Sequence, residues 1–119
     1  MSEVSSEDKI SAERRIDRSK NRILVVTDDK IILQSFRRIL EMEGFDVDTA
    51  ETGKQTLEKV STRPFHLVVV DGTPPDMSGE DLKEKVGKIE SHIRVLGLGM
   101  KTIDPNKLLE IVRANTRSI

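Results

Sequence analysis

The segment LVVVDGTPPDMSG, residues 67–79, opens with four apolar residues and then becomes polar at Asp71. A second apolar run, ILVV, occupies residues 23–26 and is followed closely by Asp28 and Asp29. Continuous, β-branched runs of this length are typical of parallel strands that are buried on both faces of a sheet. We therefore predict that residues 23–26 and 67–70 form the two central strands of the domain.

Helical and extended patterns alternate along the rest of this region. An apolar stripe that ends before Gly44 predicts the first helix: Ile32, Phe36, Ile39 and Leu40. Residues 45–49 alternate as a half-exposed edge strand does, and residues 93–98 form a third apolar run. Pairs of capping residues predict the starts of three more helices: Thr52 with Gln55, Ser78 with Asp81, and Asp104 with Pro105. The order βαβαβαβα predicts an α/β fold, a doubly wound parallel sheet with helices on both faces.

Composition excludes several kinds of protein. The 119 residues suit one small domain, and 20 Lys+Arg against 21 Asp+Glu give no general reason to expect nucleic-acid or membrane binding. The absence of cysteine excludes disulfides, thiolate metal sites and a cysteine nucleophile. No pairing of a base with a nucleophile and no cofactor motif indicates an enzyme with its own turnover. Without a signal peptide or a long apolar segment, we expect a cytoplasmic protein.

The N-terminal residues differ from the rest. Residues 1–22 hold five acidic and six basic residues but only five hydrophobic ones. Such a segment buries too little apolar surface to offset the entropy of ordering it. We predict a charged N-terminal tail over residues 1–22 and one domain over residues 23–119.

Acidic residues follow both predicted central strands. Ligands of open α/β sheets bind beyond the carboxyl ends of the strands, so Asp28 and Asp71 are expected to converge there if the two strands are neighbours. Oxygen ligands of this kind suit Mg²⁺, and a carboxylate can also accept a phosphoryl group. The alternative is that these carboxylates cap the helices that follow, and the spacing alone does not separate the two interpretations.

The chain resembles the receiver domain of two-component response regulators. Four segments carry the resemblance: ILVVTDD at 23–29, LEMEGFDV at 40–47, AETG at 50–53 with Leu57, and LVVVDGTPPDMSG at 67–79. The stretch KTID at 101–104, followed by Leu108 and Leu109, resembles the lysine and the final helix of the same family. The resemblance implies a flavodoxin-like fold and a phosphorylation switch within a phosphorelay.

The resemblance also implies roles for single residues. Asp71 would be the phosphorylation site, and its phosphoryl donor would be a sensor histidine kinase or a phosphotransfer protein. Asp28, Asp71 and the backbone carbonyl of Thr73 would hold Mg²⁺. Lys101 would contact the phosphate or, before phosphorylation, Asp71, although a solvated lysine is the alternative.

Two departures from the family pattern stand out. Thr27 occupies the first acidic position of the family's pair, so the Mg²⁺ site is expected to be weakened, with Asp29 as a partial substitute. Between residue 93 and Lys101, roughly 20–25 residues that would form a helix and a strand are missing. We therefore expect a truncated receiver with four strands. Whether residues 93–98 replace the family's fourth or fifth strand stays open.

The truncation has consequences for switching and assembly. If residues 93–98 are the fourth strand, Gly99 stands where the family has its switch hydroxyl, and Thr102 is the alternative candidate for that role. The strand becomes a sheet edge, which predicts a homodimer through residues 93–99 or through the C-terminal helix, which must repack or swap. The alternative to a phosphorylated receiver is a pseudo-receiver, a phosphorylation-independent interaction and dimerisation module.

Overall fold

A computed structural model describes residues 22–98 and 105–116. Four strands and four helices alternate along this part of the chain: β1 (Arg22–Val26), α1 (Lys30–Met42), β2 (Asp46–Ala50), α2 (Gly53–Thr62), β3 (Leu67–Asp71), α3 (Gly79–Ile89), β4 (Arg94–Leu98) and α4 (Pro105–Thr116). The alternation predicted from the sequence is confirmed. The tail predicted over residues 1–22 lies outside the described residues, apart from Arg22.

The four strands form one parallel sheet in the order β2-β1-β3-β4. This is the predicted doubly wound α/β fold, with the two most apolar strands, β1 and β3, at its centre. Strand order reverses between β1 and β3, so the site expected at the carboxyl ends of the strands lies between them. β4 pairs with β3 and therefore occupies the position of a fourth strand.

The two faces of the sheet carry separate cores. One core packs α1 and α4 against the sheet and includes Phe36, Leu40, Leu108 and Val112. The other core lies on the opposite face, under α2 and α3, and includes Val60 and Leu82. Successive residues of β1 and β3 point to opposite faces, so these two strands contribute to both cores.

The last helix packs within its own chain. Leu108 and Val112 of α4 are fully buried, and α4 lies beside α1. Near its C-terminus the carbonyl oxygen of Asn115 lies 2.9 Å from Nε2 of His66, where a protonated Nε2 donates a hydrogen bond. The described part of α4 therefore packs on the sheet of its own chain, and whether it swaps between two copies stays untested.

The bounds of the four strands and the exposure of one side chain differ from the sequence interpretation. β3 extends to Asp71, one residue beyond the predicted 67–70. β1 begins at Arg22, whose guanidinium pairs with Asp46 at 2.9 Å and lies 5.9 Å from the centre of the Phe65 ring. β2 runs one residue later than predicted, over Asp46–Ala50, and β4 begins at Arg94. The i, i+4, i+7 spacing of Leu82, Val86 and Ile89 predicts one buried face for α3, but Ile89 at the end of this helix is 38% exposed. Within the described ranges, no helix is long and apolar enough to cross a membrane.

Candidate functional site

The carboxyl ends of β1 and β3 bring Thr27 and Asp71 together. The register pairs Val26 with Val70, so the residues that follow them are neighbours. The hydroxyl Oγ1 of Thr27 donates a hydrogen bond to Oδ2 of Asp71 at 3.3 Å, although the two residues are 44 positions apart. Asp71 thus ends a strand that pairs with a neighbour on both sides, and Thr27 holds one of its carboxylate oxygens.

A cleft of about 290 Å³ opens at this edge of the sheet. Its lining contains the acidic residues that the sequence singled out, Asp28, Asp29 and Asp71, together with Thr73. Asp28 and Asp29 are exposed, whereas Asp71 is half-buried. The structure therefore gathers the candidate acceptor and its candidate metal ligands around a single opening to solvent.

Asp29 has a structural role at this cleft. Its Oδ1 accepts hydrogen bonds from the amides of Ile31 and Ile32, at 3.0 and 3.2 Å, so Asp29 is the N-cap of α1. The helix-capping interpretation of the acidic residues thus describes Asp29. Asp28 and Asp71 are not N-cap residues of the helices in the described ranges.

The segment after Asp71 is held in place by two local features. Gly72 adopts a φ of +75°, a conformation that side chains with a Cβ rarely adopt, and this turns the chain away from β3. Asp76 then accepts hydrogen bonds from the amides of Gly53 and Lys54 at the start of α2, at 2.7 and 3.0 Å. These two amides hold the pKa of Asp76 below its usual value. The loop that contributes Thr73 is therefore tied to a neighbouring helix.

The comparisons with known proteins agree with this arrangement. A family model described as the response regulator receiver domain matches residues 23–116. The chain belongs to the response regulator receiver domain family.

Individual relatives give the same assignment. A transcriptional regulatory protein CpxR homolog of Haemophilus influenzae is 30% identical over 89 residues, which are 75% of this chain and 38% of that protein. A CheY-like receiver domain protein of Methanospirillum hungatei superposes with a TM-score of 0.73 at 29% identity, covering 82% of this chain and 94% of that one. The BeF3-activated DrrB receiver domain gives a TM-score of 0.71 at 27% identity, covering 81% and 97%. The aligned part of this chain thus covers less than two fifths of the length of the CpxR homolog.

The oxygen atoms around the cleft suit a hard cation that takes few of its ligands from the protein. No group of three or more His, Cys, Asp or Glu residues that could hold a metal occurs in the described ranges. Asp28, Asp71 and Thr73 nevertheless line one cleft, where the two carboxylates and the carbonyl of Thr73 are oxygen donors. Mg²⁺ prefers oxygen ligands and keeps several waters, so these residues fit the ion that the family resemblance implies.

Lys101, Thr102 and Gly99 lie outside the residues that the structure describes. The contact predicted between Lys101 and Asp71 therefore stays a prediction, as does a switch role for Thr102. Leu98, which precedes this stretch, is opposite Asp71 in the register of β3 and β4.

Sequence reasoning missed the roles of Thr27 and Asp76 in this receiver domain. The family pattern marks Thr27 only as the loss of an acid, although two aligned apolar runs imply that the residues after Val26 and Val70 are neighbours. That register was the available signal. For Asp76 the sequence offered no signal, because its partners on α2 are more than 20 positions away.

Proposed function

We propose that this receiver domain accepts a phosphoryl group on Asp71 from the phosphohistidine of a sensor histidine kinase or a phosphotransfer protein. The observation that carries the proposal is the position of Asp71, at the end of a central strand and in a cleft shared with Asp28. Membership of the family supports it, because receiver domains are signalling modules that interact with such donors. A cytoplasmic location stays a prediction from the sequence.

The transfer is a displacement at phosphorus. A carboxylate oxygen of Asp71 attacks, the P–N bond to the donor histidine breaks, and the imidazole leaves while an acyl phosphate forms. Asp28, Asp71 and the backbone carbonyl of Thr73 would hold Mg²⁺, which when bound neutralises charge on the phosphoryl oxygens. Lys101 is proposed to pair with the phosphate, and Asp29 to contribute little because it already caps α1.

The test uses a small phosphodonor, acetyl phosphate, with Mg²⁺ and mass spectrometry of the intact chain. We expect one phosphoryl group on the wild type, none on Asp71→Asn and strongly reduced incorporation in Asp28→Asn. Removal of Mg²⁺ with EDTA is expected to abolish incorporation.

The matched control is Asp81→Asn, since Asp81 is an exposed carboxylate in the first turn of α3, away from the cleft. This variant should be phosphorylated like the wild type. A wild-type chain that gains no phosphoryl group would contradict the proposal and favour a phosphorylation-independent pseudo-receiver.

A second candidate function, homodimerisation, is favoured by the edge strand β4. Within the described residues, β4 pairs on one side only, with β3, and beyond Arg94 at its start its sequence RVLGL has no charged residue or proline of the kind that protects sheet edges. A groove of about 420 Å³ runs along this edge between α3 and α4 and is lined by Val95, Leu96 and Gly87 among others. Two copies related by a twofold axis could pair β4 with β4 antiparallel and extend the sheet.

The directions of the backbone N–H and C=O groups along β4 identify a residue whose substitution tests pairing through this edge. The amide of Arg94 donates to His66 and the carbonyl of Leu98 accepts from Gly72, both toward β3. Because these directions alternate along a strand, the backbone of Gly97 faces outward. Gly97→Pro removes an outward N–H, whereas Gly97→Ala keeps it, and an added Cβ meets no atom within 4 Å.

We expect the wild type and Gly97→Ala to be dimers by light scattering at micromolar concentration, and Gly97→Pro to be a monomer with the same circular dichroism spectrum. Should Gly97→Pro fail to fold, Gly97→Lys tests the same edge, since a charge there opposes pairing with a second copy. A monomeric wild type, or dimers that persist in the folded variants, would count against pairing through β4.

A further inference from the structure

The hydroxyl of Thr27 contacts the carboxylate of Asp71, and Thr27 is almost completely buried. Thr27 is 4% exposed and follows β1 directly. Its Oγ1 lies 3.1 Å from the amide nitrogen of Asp29 and 3.3 Å from Oδ2 of Asp71. One small side chain therefore joins the loop after β1 to the end of β3.

The two contacts fix the direction of the hydrogen bonds. A hydroxyl has one proton to donate and lone pairs to accept with. The amide of Asp29 can only donate, so Oγ1 accepts there, and the hydroxyl proton points to Asp71 Oδ2. Oδ2 of Asp71 is thus held by a donor whose own position is set by the backbone.

The reaction proposed above needs this kind of orientation. Phosphoryl transfer depends on the alignment of the attacking oxygen with the bond that breaks, and a rotating carboxylate loses that alignment. We propose that Thr27 is a positioning residue for phosphoryl transfer: its hydroxyl holds Oδ2 and thereby sets the rotation of the Asp71 carboxylate. This inference rests on the proposed function of Asp71.

The variants separate the hydroxyl from the shape of the side chain. Thr27→Val keeps the branched shape and removes the hydroxyl, whereas Thr27→Ser keeps the hydroxyl. Removing one hydrogen bond to a charged group predicts about a tenfold lower maximal rate of incorporation from acetyl phosphate in Thr27→Val. Thr27→Ser should retain a rate close to that of the wild type.

The readouts distinguish positioning from structure and from metal binding. The half-saturating concentration of acetyl phosphate and the Mg²⁺ affinity, measured by calorimetry, are expected to be unchanged in Thr27→Val. A thermal melt of each variant reports any effect on folding.

Three results would overturn the inference: a Thr27→Val rate equal to that of the wild type, a Thr27→Ser rate as low as that of Thr27→Val, or a rate loss accompanied by an equal loss of Mg²⁺ affinity. The failure of the proposed function is a separate result. If wild-type chain incorporates no phosphoryl group, both proposals fail. If wild type incorporates it and Thr27→Val does so equally fast, only the role of Thr27 fails.

Discussion

Asp48 carries the densest set of charged contacts in the described part of the chain. It accepts a hydrogen bond from Lys59 Nζ at 2.8 Å and another from Arg63 at 2.6 Å, and Lys59 also donates to the carbonyl of Thr49. Partial burial raises the pKa of Asp48, but the hydrogen bonds from Lys59 and the Thr49 amide and the two positive charges together lower it. These contacts attach β2 to α2.

The lowered pKa of Asp48 predicts a pH-dependent contribution to stability. A carboxylate with a depressed pKa in the folded state stabilises the fold above the unfolded pKa of about 3.9 and loses that contribution as pH falls through the folded value. We expect Asp48→Asn to lower the free energy of unfolding by about 1–2 kcal/mol at neutral pH. Urea denaturation over a pH series checks this: the difference should shrink below about pH 4.

Glu84→Gln is the control for this series, because Glu84 is exposed in the middle of α3. Glu84→Gln should change the free energy of unfolding only slightly, and this change should not shrink systematically as the pH falls. If Asp48→Asn were as mild as Glu84→Gln at neutral pH, the ion pairs of Asp48 would contribute nothing measurable to the fold.

For single residues, the sequence predicts which acidic residues lie near the carboxyl ends of β1 and β3. It does not predict which of them caps a helix and which faces the cleft. Asp28 and Asp71 are predicted to converge at the carboxyl ends of β1 and β3, and both line one cleft together with Asp29. The capping role of Asp29 and the bond from Thr27 depend on side-chain rotation and on partners brought close by the sheet. The register of β1 and β3 indicates that Thr27 and Asp71 are neighbours, but composition and spacing do not give the rotation of the side chains.

Among the helices and strands, the helix starts are the features most readily predicted from the sequence, because capping depends on residues close together in the chain. Thr52 accepts from the amide of Gln55 and Ser78 from that of Asp81, both at 3.0 Å, as the spacing indicates. The exposure of Ile89 could not be predicted in this way, because it depends on where α3 ends relative to the neighbouring strands. Local signals thus define an element, and packing decides which side chains it buries.

The C-terminus of α1 gives an element-scale prediction. Gly44 adopts a φ of +95° and its amide donates to Glu41, which ends the helix. Gly44→Ala places a Cβ in the left-handed region and is expected to destabilise the protein by about 1–2 kcal/mol. Chemical denaturation of the variant checks the value.

Gly87 provides a control of the opposite sign. It lies inside α3, is exposed, and would place a Cβ in open space. Gly87→Ala is expected to stabilise the protein by about 0.5–1 kcal/mol, because alanine loses less conformational freedom in a helix. Equal effects of the two substitutions would mean that the conformation of Gly44 does not limit the end of α1.

At the scale of the whole molecule, β1 and β3 connect the two cores. Residues such as Ile23 and Leu67 face α1 and α4, whereas Leu24 and Val68 face α2 and α3, and all four are fully buried. Because β1 and β3 contribute side chains to both cores, unfolding of either strand exposes both cores to water. The two cores are therefore expected to unfold as a single unit despite the shortened connection between β4 and α4.

Truncation of one buried leucine on each face tests this coupling. Leu108 of α4 and Leu82 of α3 are both fully buried, and each Leu→Ala substitution should cost about 2–5 kcal/mol. Amide NMR signals of α3 and α4 should disappear at the same urea concentration in each variant, because β1 and β3 are common to both cores. If Leu108→Ala lost the α4 signals first, α4 would be a separate, weaker unit whose packing on the sheet is not coupled to β3.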